Sequence, residues 1–186
     1  MIKVHEARPE EFDEAGRVTA LAYREFVGPG EADWEAYLEE IADVGGRAGR
    51  AMILVAVDGD TILGSATLEL DRRIDDESRP LDPDEAHVRM LGVDPAARGR
   101  GAAQNLMAAS EGAARAHGKR RISLHTTQRM TVAQGMYERL GFKRAADRVL
   151  EDGFILLTYE KLLDPLATGS SPGTTRAEQP PGGRHP

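Results

Sequence analysis

The chain has 186 residues, a net charge of −7 and 40% hydrophobic residues, enough to bury one ordinary core without a metal or cross-link. It has no cysteine, which excludes disulfides, thiolate metal sites, iron–sulfur clusters and a cysteine nucleophile. The acidic balance opposes non-specific binding to nucleic acid, so any phosphate site must be local.

Met1-Ile2-Lys3-Val4-His5-Glu6 lacks the basic and long apolar stretches of a signal peptide, and no run approaches the ~20 apolar residues that span a bilayer. The expectation is a cytoplasmic protein without membrane contact. Between Glu10 and Phe26 the apolar residues Phe12, Ala15, Val18, Ala22 and Phe26 recur at helical intervals, with Pro9 suited to the first turn. Trp34, Leu38 and Ile41 predict a second helix over Ala32 to Val44, which Gly45-Gly46 would stop. On this reading two helices precede any strand.

Ala51 to Val57 and Thr61 to Leu70 flank Asp58-Gly59-Asp60 and predict a hairpin. The charged stretch Asp71 to Asp84, with Pro80 and Pro83, reads as a surface loop leading into a strand at Ala86 to Val93. Ala103, Leu106, Ala109, Ala113 and Ala116 then mark a helix over Ala102 to His117, and Gly118 sits where a left-handed cap would end it. A strand over Arg121 to Thr126 and a helix over Thr131 to Leu140 follow. Two closing strands, Gly141 to Leu150 and Gly153 to Leu162, are joined by a Glu151-Asp152-Gly153 turn. The sum is a mixed α/β sheet in one domain, 1–163. Residues 164–186 are rich in Pro, Gly, Ser and Thr and carry almost no large apolar side chain, so they read as a disordered tail.

The segment Val93-Asp94-Pro95-Ala96-Ala97-Arg98-Gly99-Arg100-Gly101-Ala102-Ala103 joins a strand to a helix through glycines. Such a turn leaves first-turn N–H groups pointing outward at the positive end of the helix dipole, and Arg98 and Arg100 add formal charge at its mouth. A pyrophosphate suits this cradle. The Walker pattern is missing, and the Rossmann Gly-x-Gly-x-x-Gly fails because Gln104 stands at the third glycine.

Met90-Leu91-Gly92-Val93-Asp94-Pro95-x-x-Arg98-Gly99-x-Gly101-x-Ala103, followed by Tyr137-x-x-Leu140-Gly141-Phe142, resembles the GCN5-related N-acetyltransferase (GNAT) family over roughly residues 1–163. The resemblance implies a central, mostly antiparallel sheet flanked by helices. It also implies acetyl transfer from acetyl-CoA to an amine without a metal, and it admits a homodimer. By resemblance, Arg98, Gly99, Arg100, Gly101, Ala102 and Ala103 hold the CoA pyrophosphate. Leu91, Gly92 and Val93 lie on a bulged strand whose backbone bonds the pantetheine arm, with a strand N–H near the thioester oxygen. Tyr137 would place its hydroxyl beside the CoA sulfur.

Relatives often carry Glu where this chain has His87, and Glu85 lies two residues earlier on the same face. His87 can take the amine proton directly near neutral pH; Glu85 can act through water or hold a cationic acceptor. Met130 replaces an Asn of many relatives and is read, with Ala133 and Met136, as helix packing. His125 is read as structural. The acidic residues Glu31, Asp33, Glu35, Asp75, Asp76 and Glu77 favour a cationic acceptor, although charge runs are usually solvated faces. A non-catalytic acyl-CoA sensor or interaction module is the competing class, against which Tyr137 argues. An RNA-binding role for Arg98-Gly99-Arg100-Gly101 conflicts with the acidic balance and the lack of an aromatic platform.

Overall fold

The computed structural model describes residues 1–26, 32–71, 81–150 and 153–164. Strand β1 (Lys3–Glu6) precedes the helices α1 (Phe12–Arg24), α2 (Ala32–Ala42) and α3 (Val44–Ala48); the hairpin β2 (Met52–Asp58) and β3 (Thr61–Glu69) follows. Then come β4 (Glu85–Val93), α4 (Ala102–Ala116), β5 (Arg121–Thr126), α5 (Thr131–Arg139), β6 (Lys143–Arg144), β7 (Arg148–Val149) and β8 (Ile155–Leu162). The sheet runs β1-β2-β3-β4-β5-β8-β6, with β7 also on β8. Every pairing is antiparallel except β4 with β5.

The two faces of the sheet differ. Ala56, Ala66, Leu68, Val88, Ile122, Leu124 and Tyr159 share a core with Leu106 and Met107 of α4, whose small and apolar residues at helical spacing lie on that face. Leu106 and Met107 are fully buried, each stabilising the fold by about 1.5–3 kcal/mol. On the other face, α1 and α3 cover Val55 and Ile62, but the centre is polar: Ser65, Thr67, Glu69, Glu85, His87 and Ser123 are all buried. A buried polar stripe across three strands is unfavourable for folding alone and marks a candidate working surface.

The structure departs from the sequence reading in three places. A strand precedes the helices: Lys3–Glu6 pairs with Leu54–Val57 and is too short to show a period. Gly45-Gly46 does not end the second helix. The break is at Asp43, whose carboxylate accepts from the Gly46 amide 2.8 Å away and so caps α3 around the glycines. Arg47 of α3 then turns back, buried, and donates to the carbonyls of Glu40, Ile41 and Asp43 at 2.8–2.9 Å and to the Thr67 hydroxyl at 3.1 Å. It therefore caps the carbonyl end of α2 with a cation. Finally, the strand foreseen over Gly141 to Leu150 is two fragments, β6 and β7, interrupted at Ala145–Asp147.

Residues 165–186 of the foreseen tail, 72–80 of the foreseen loop, Glu31, and Glu151 and Asp152 of the closing turn lie outside the described residues, as does the Asp33 side chain. No helix among the described residues is long and apolar enough to cross a membrane.

Candidate active site

The site begins where β4 leaves β5. Their ladder runs from Glu85↔Arg121 to Val88↔Leu124 and stops. On the β3 side, pairing shifts between Thr67↔Arg89 and Ser65↔Gly92, so Met90 and Leu91 face Ala66 alone. Met90 takes a positive φ of 50°, a bulge conformation that is strained for a residue with a Cβ. The bulge changes which face each residue joins. Ala86 and Val88 before it, and Leu91 and Val93 after it, all contact the α4 core, while Met90 turns to Leu38 and Ile41 of α2.

A cavity of about 650 Å³ opens along the diverging edge, lined by Leu91, Gly92 and Val93 on one side and α5 on the other. At its end lies the cradle. Asp94 caps a short 3-10 turn at Pro95–Ala97 by accepting from the Ala96 amide, and the chain then passes Gly99 (φ 76°) and Gly101 (φ 87°). Both angles lie in the left-handed region that glycine enters without penalty. Gly101 is the N-cap of α4 and offers no side-chain acceptor to the first-turn amides, which is the state an anion would complete.

Arg98, Gly99, Gly101, Ala102 and Ala103 all line this cavity. The Arg98 guanidinium forks onto Glu25 at 2.7 and 2.8 Å, and that hydrogen-bonded partner raises its pKa despite partial burial. Arg100 differs: it pairs with Asp58 of the β2–β3 hairpin and is not among the lining residues. Arg129 and Arg139, not anticipated from the sequence, also line the cavity, and Arg129 reaches the Phe26 carbonyl at 3.1 Å.

Tyr137 lines the same cavity and is 6% exposed. Its ring centroid lies 6.0 Å from that of Phe142 and 5.9 Å from that of Tyr159. Burial, and to a smaller degree Tyr159, raises the phenol pKa, so the hydroxyl stays protonated over the physiological range. It makes no hydrogen bond among the described residues, unlike Tyr159, whose hydroxyl donates to Glu138 at 3.2 Å.

A second cavity, about 400 Å³, lies on the polar face of the sheet beneath Trp34 and Tyr37 of α2, with Phe154 and Leu156 on its far wall. His87 lines it; Glu85 does not. Glu85 instead accepts from the Ser123 hydroxyl and from Arg121 at 3.2 Å, and the His87 Nδ1 lies 2.8 Å from the same Ser123 oxygen. The two cavities share Tyr23, His125, Thr126 and Met130. Met136 is core and Ala133 lines the larger cavity, but Met130 stands at the junction rather than simply packing its helix. His125, read from sequence as structural, stands there too, its ring 4.8 Å from that of His87. Its alternation on β5 placed it on the face of Ser123, which was the available signal; the parting of β4 and β5 that exposes it was not legible.

The family model of the GNAT acetyltransferases matches residues 16–142. No curated protein sequence matches the chain. Among solved structures it resembles a GNAT-family acetyltransferase from Staphylococcus aureus (18% identity, 88% of this chain and 100% of that one, TM-score 0.66). It also resembles yncA from Salmonella typhimurium, solved with acetyl-CoA (17%, 92% and 99%, TM-score 0.63). A third is the PaiA N-acetyltransferase of Thermoplasma acidophilum in complex with coenzyme A (15%, 85% and 98%, TM-score 0.64). With the family match spanning more than half of its length and the same fold recurring in these structures, the chain belongs to the GNAT acetyltransferase family.

Proposed function

We propose that the protein transfers an acetyl group from acetyl-CoA to a primary amine by direct attack in a ternary complex. The observation that carries this reading is the meeting of two cavities at Tyr23, His125, Thr126 and Met130, one ending in an anion cradle and the other lined by His87. The cradle fits a pyrophosphate: its glycines hold conformations a Cβ would strain, a Cβ on Gly99 would meet no neighbouring atom, and Arg98, Arg129 and Arg139 face Glu25 as the one carboxylate among the described lining residues. Two similar structures were solved with acetyl-CoA or coenzyme A.

When bound, acetyl-CoA supplies an activated acyl thioester. Gly99, Gly101, Ala102, Ala103 and Arg98 would hold its pyrophosphate, and the backbone of Leu91, Gly92 and Val93 its pantetheine arm. The rest of the chemistry belongs to side chains. His87 takes one proton from the attacking nitrogen, and Tyr137 gives one to the departing sulfur as the N–C bond forms and the C–S bond breaks, so the products are an amide and a thiol. Tyr137 suits the donor role because its phenol remains protonated. Holding the two reactants together at the junction supplies much of the acceleration.

The test is CoA thiol release with a panel of small amines, peptides and polyamines, beside calorimetric binding of acetyl-CoA. Micromolar binding with amine-dependent release is expected. Binding without release from any amine, in the panel or in a cell extract read by isotope labelling, would make the chain an acyl-CoA sensor. Absence of binding would refute the cradle.

A further inference from the structure

We propose that Ser123 is a positioning residue that fixes His87 as its Nδ1–H tautomer and couples it to Glu85, leaving Nε2 as the nitrogen that accepts the amine proton. The inference rests on the acyl-transfer reading for its use, but the arrangement stands on geometry. Glu85, in an ion pair with Arg121, is an acceptor only, so the Ser123 hydroxyl must donate its single hydrogen to it. The Ser123 oxygen then has lone pairs alone to offer the ring 2.8 Å away, and His87 Nδ1 must be the donor. The proton on Nδ1 removes it from Nε2, since a neutral imidazole carries one.

The fold makes this chain of bonds possible at one place. His87 and Ser123 are register partners on the parallel pair, one rung from where the ladder ends, and Glu85 is two residues back on the same face. All three are buried, Ser123 and His87 to 4% exposure and Glu85 to 8%, so the bonds are little weakened by water. Among the described residues, the other charged groups about the ring are Arg148 of β7, which lines the same cavity, and the carboxylates of β3, α2 and β8 with their paired arginines. Glu69, its register partner on β3, and Glu40 of α2 are met by Arg89; Glu160 of β8 is met by Arg121, which also holds Asp82. His125 adjoins the ring, and Tyr23 and Tyr37 close the cavity from α1 and α2. Glu85 therefore reaches His87 through Ser123.

Nitrogen-15 ring shifts of the full chain report the tautomer without substrate, with His87→Gln assigning the resonance among the five histidines. The neutral His87 ring of the wild type should carry its proton on Nδ1, and Ser123→Ala should move the equilibrium toward Nε2–H. Glu85→Gln keeps an oxygen acceptor for Ser123, so it should preserve the tautomer while moving the acid limb of kcat/KM to lower pH, because a charge that favours the imidazolium is gone. Ser123→Ala should lower kcat about ten- to a hundredfold, a part of the ~10²–10⁴ that a positioned base supplies, with acetyl-CoA affinity unchanged. A wild-type ring protonated on Nε2 overturns the proposal even where Ser123→Ala fails to fold, and so does an unchanged tautomer in a folded Ser123→Ala or an unmoved acid limb in a folded Glu85→Gln. A wild type with the Nδ1–H ring but no turnover on any amine would refute the acyl-transfer reading and leave the coupling of Glu85, Ser123 and His87 standing.

Discussion

Replacing Tyr137 with Phe removes one oxygen and keeps the ring, and the structure says what that oxygen is worth. The ring is wedged between Phe142 and Tyr159, contacts that Phe preserves. The hydroxyl makes no hydrogen bond among the described residues, so its loss should leave no buried partner unsatisfied and should change stability by less than about 0.5 kcal/mol. Catalysis should suffer far more. A positioned acid contributes about 10²–10⁴, but a thiolate departs readily without one, so kcat should fall about ten- to a thousandfold, or about 1.4–4 kcal/mol in barrier. Because burial raises the phenol pKa, the wild-type profile should show no limb from Tyr137 across neutral pH. Thiol-trapping kinetics, calorimetric affinity for acetyl-CoA and the melting temperature separate the outcomes. Full turnover would remove Tyr137 from the chemistry. A melting point several degrees lower, with turnover lost in proportion, would assign the residue to the core.

The cradle predicts a contrast at Gly101. There Ala meets only the Asn105 amide at 3.6 Å and suffers backbone strain of about 1–2 kcal/mol, whereas Glu adds a charge facing the amides and should abolish acetyl-CoA binding by calorimetry; equal affinities in the two folded variants would contradict an anion site. Arg47→Met should destabilise by about 2–4 kcal/mol in urea titration, because three carbonyls and the Thr67 hydroxyl lose their donor; a change under about 0.5 kcal/mol would show that water replaces it. Glu11 should contribute to acid stability. The Arg8 side-chain hydrogen bond, opposed by burial and aided by His5, lowers its pKa from 4.5 to about 2. A depressed carboxylate stabilises above 4.5 and loses that contribution as the pH falls from 4.5 toward 2. Unfolding of Glu11→Gln should therefore depend less steeply on pH in that window, and an unchanged slope would show the pairing to be idle.

What the sequence made legible follows the length scale of each cause. Helix α4 and its cap at Gly118 (φ 73°), the β2–β3 hairpin and the cradle glycines are set by neighbours in the chain, and each stands within two residues of the reading. The resemblance supplied the bulge, which no local pattern predicts: Leu91-Gly92-Val93 reads as an ordinary strand, and only packing against α2 and β3 rewards the positive φ of Met90. Strand β1 was missed because four residues carry too little periodicity and its order comes from pairing with β2. The uncertainty between Glu85 and His87 could not be resolved from spacing, since both lie on one face. What sets them apart in the structure is the second cavity, which His87 lines and Glu85 does not, while Ser123, 36 residues from His87 in sequence, bonds both.

The placement of all these groups follows from one parallel pair inside an otherwise antiparallel sheet. A parallel pair needs a crossover, here α4, and its two strands end on the same side, so separating them there opens a cleft bordered by two carboxyl ends rather than by a turn. The outer edge of β4 is held by β3 and that of β5 by β8, which lets the inner edges part without unravelling the sheet. Backbone beyond the last rung, Leu91 to Val93, is then available to a ligand as an added strand would use it. Side chains on the last rungs, His87 and Ser123, remain rigid because the ladder still binds them. The crossover must begin just past the cleft, so the positive end of α4 arrives beside it without a separate device to bring it there. On the proposed reading, anion cradle, arm site and imidazole thus lie in sequence along a single strand and its exit, with His125 at the junction on β5 and Tyr137 lining the larger cavity from α5.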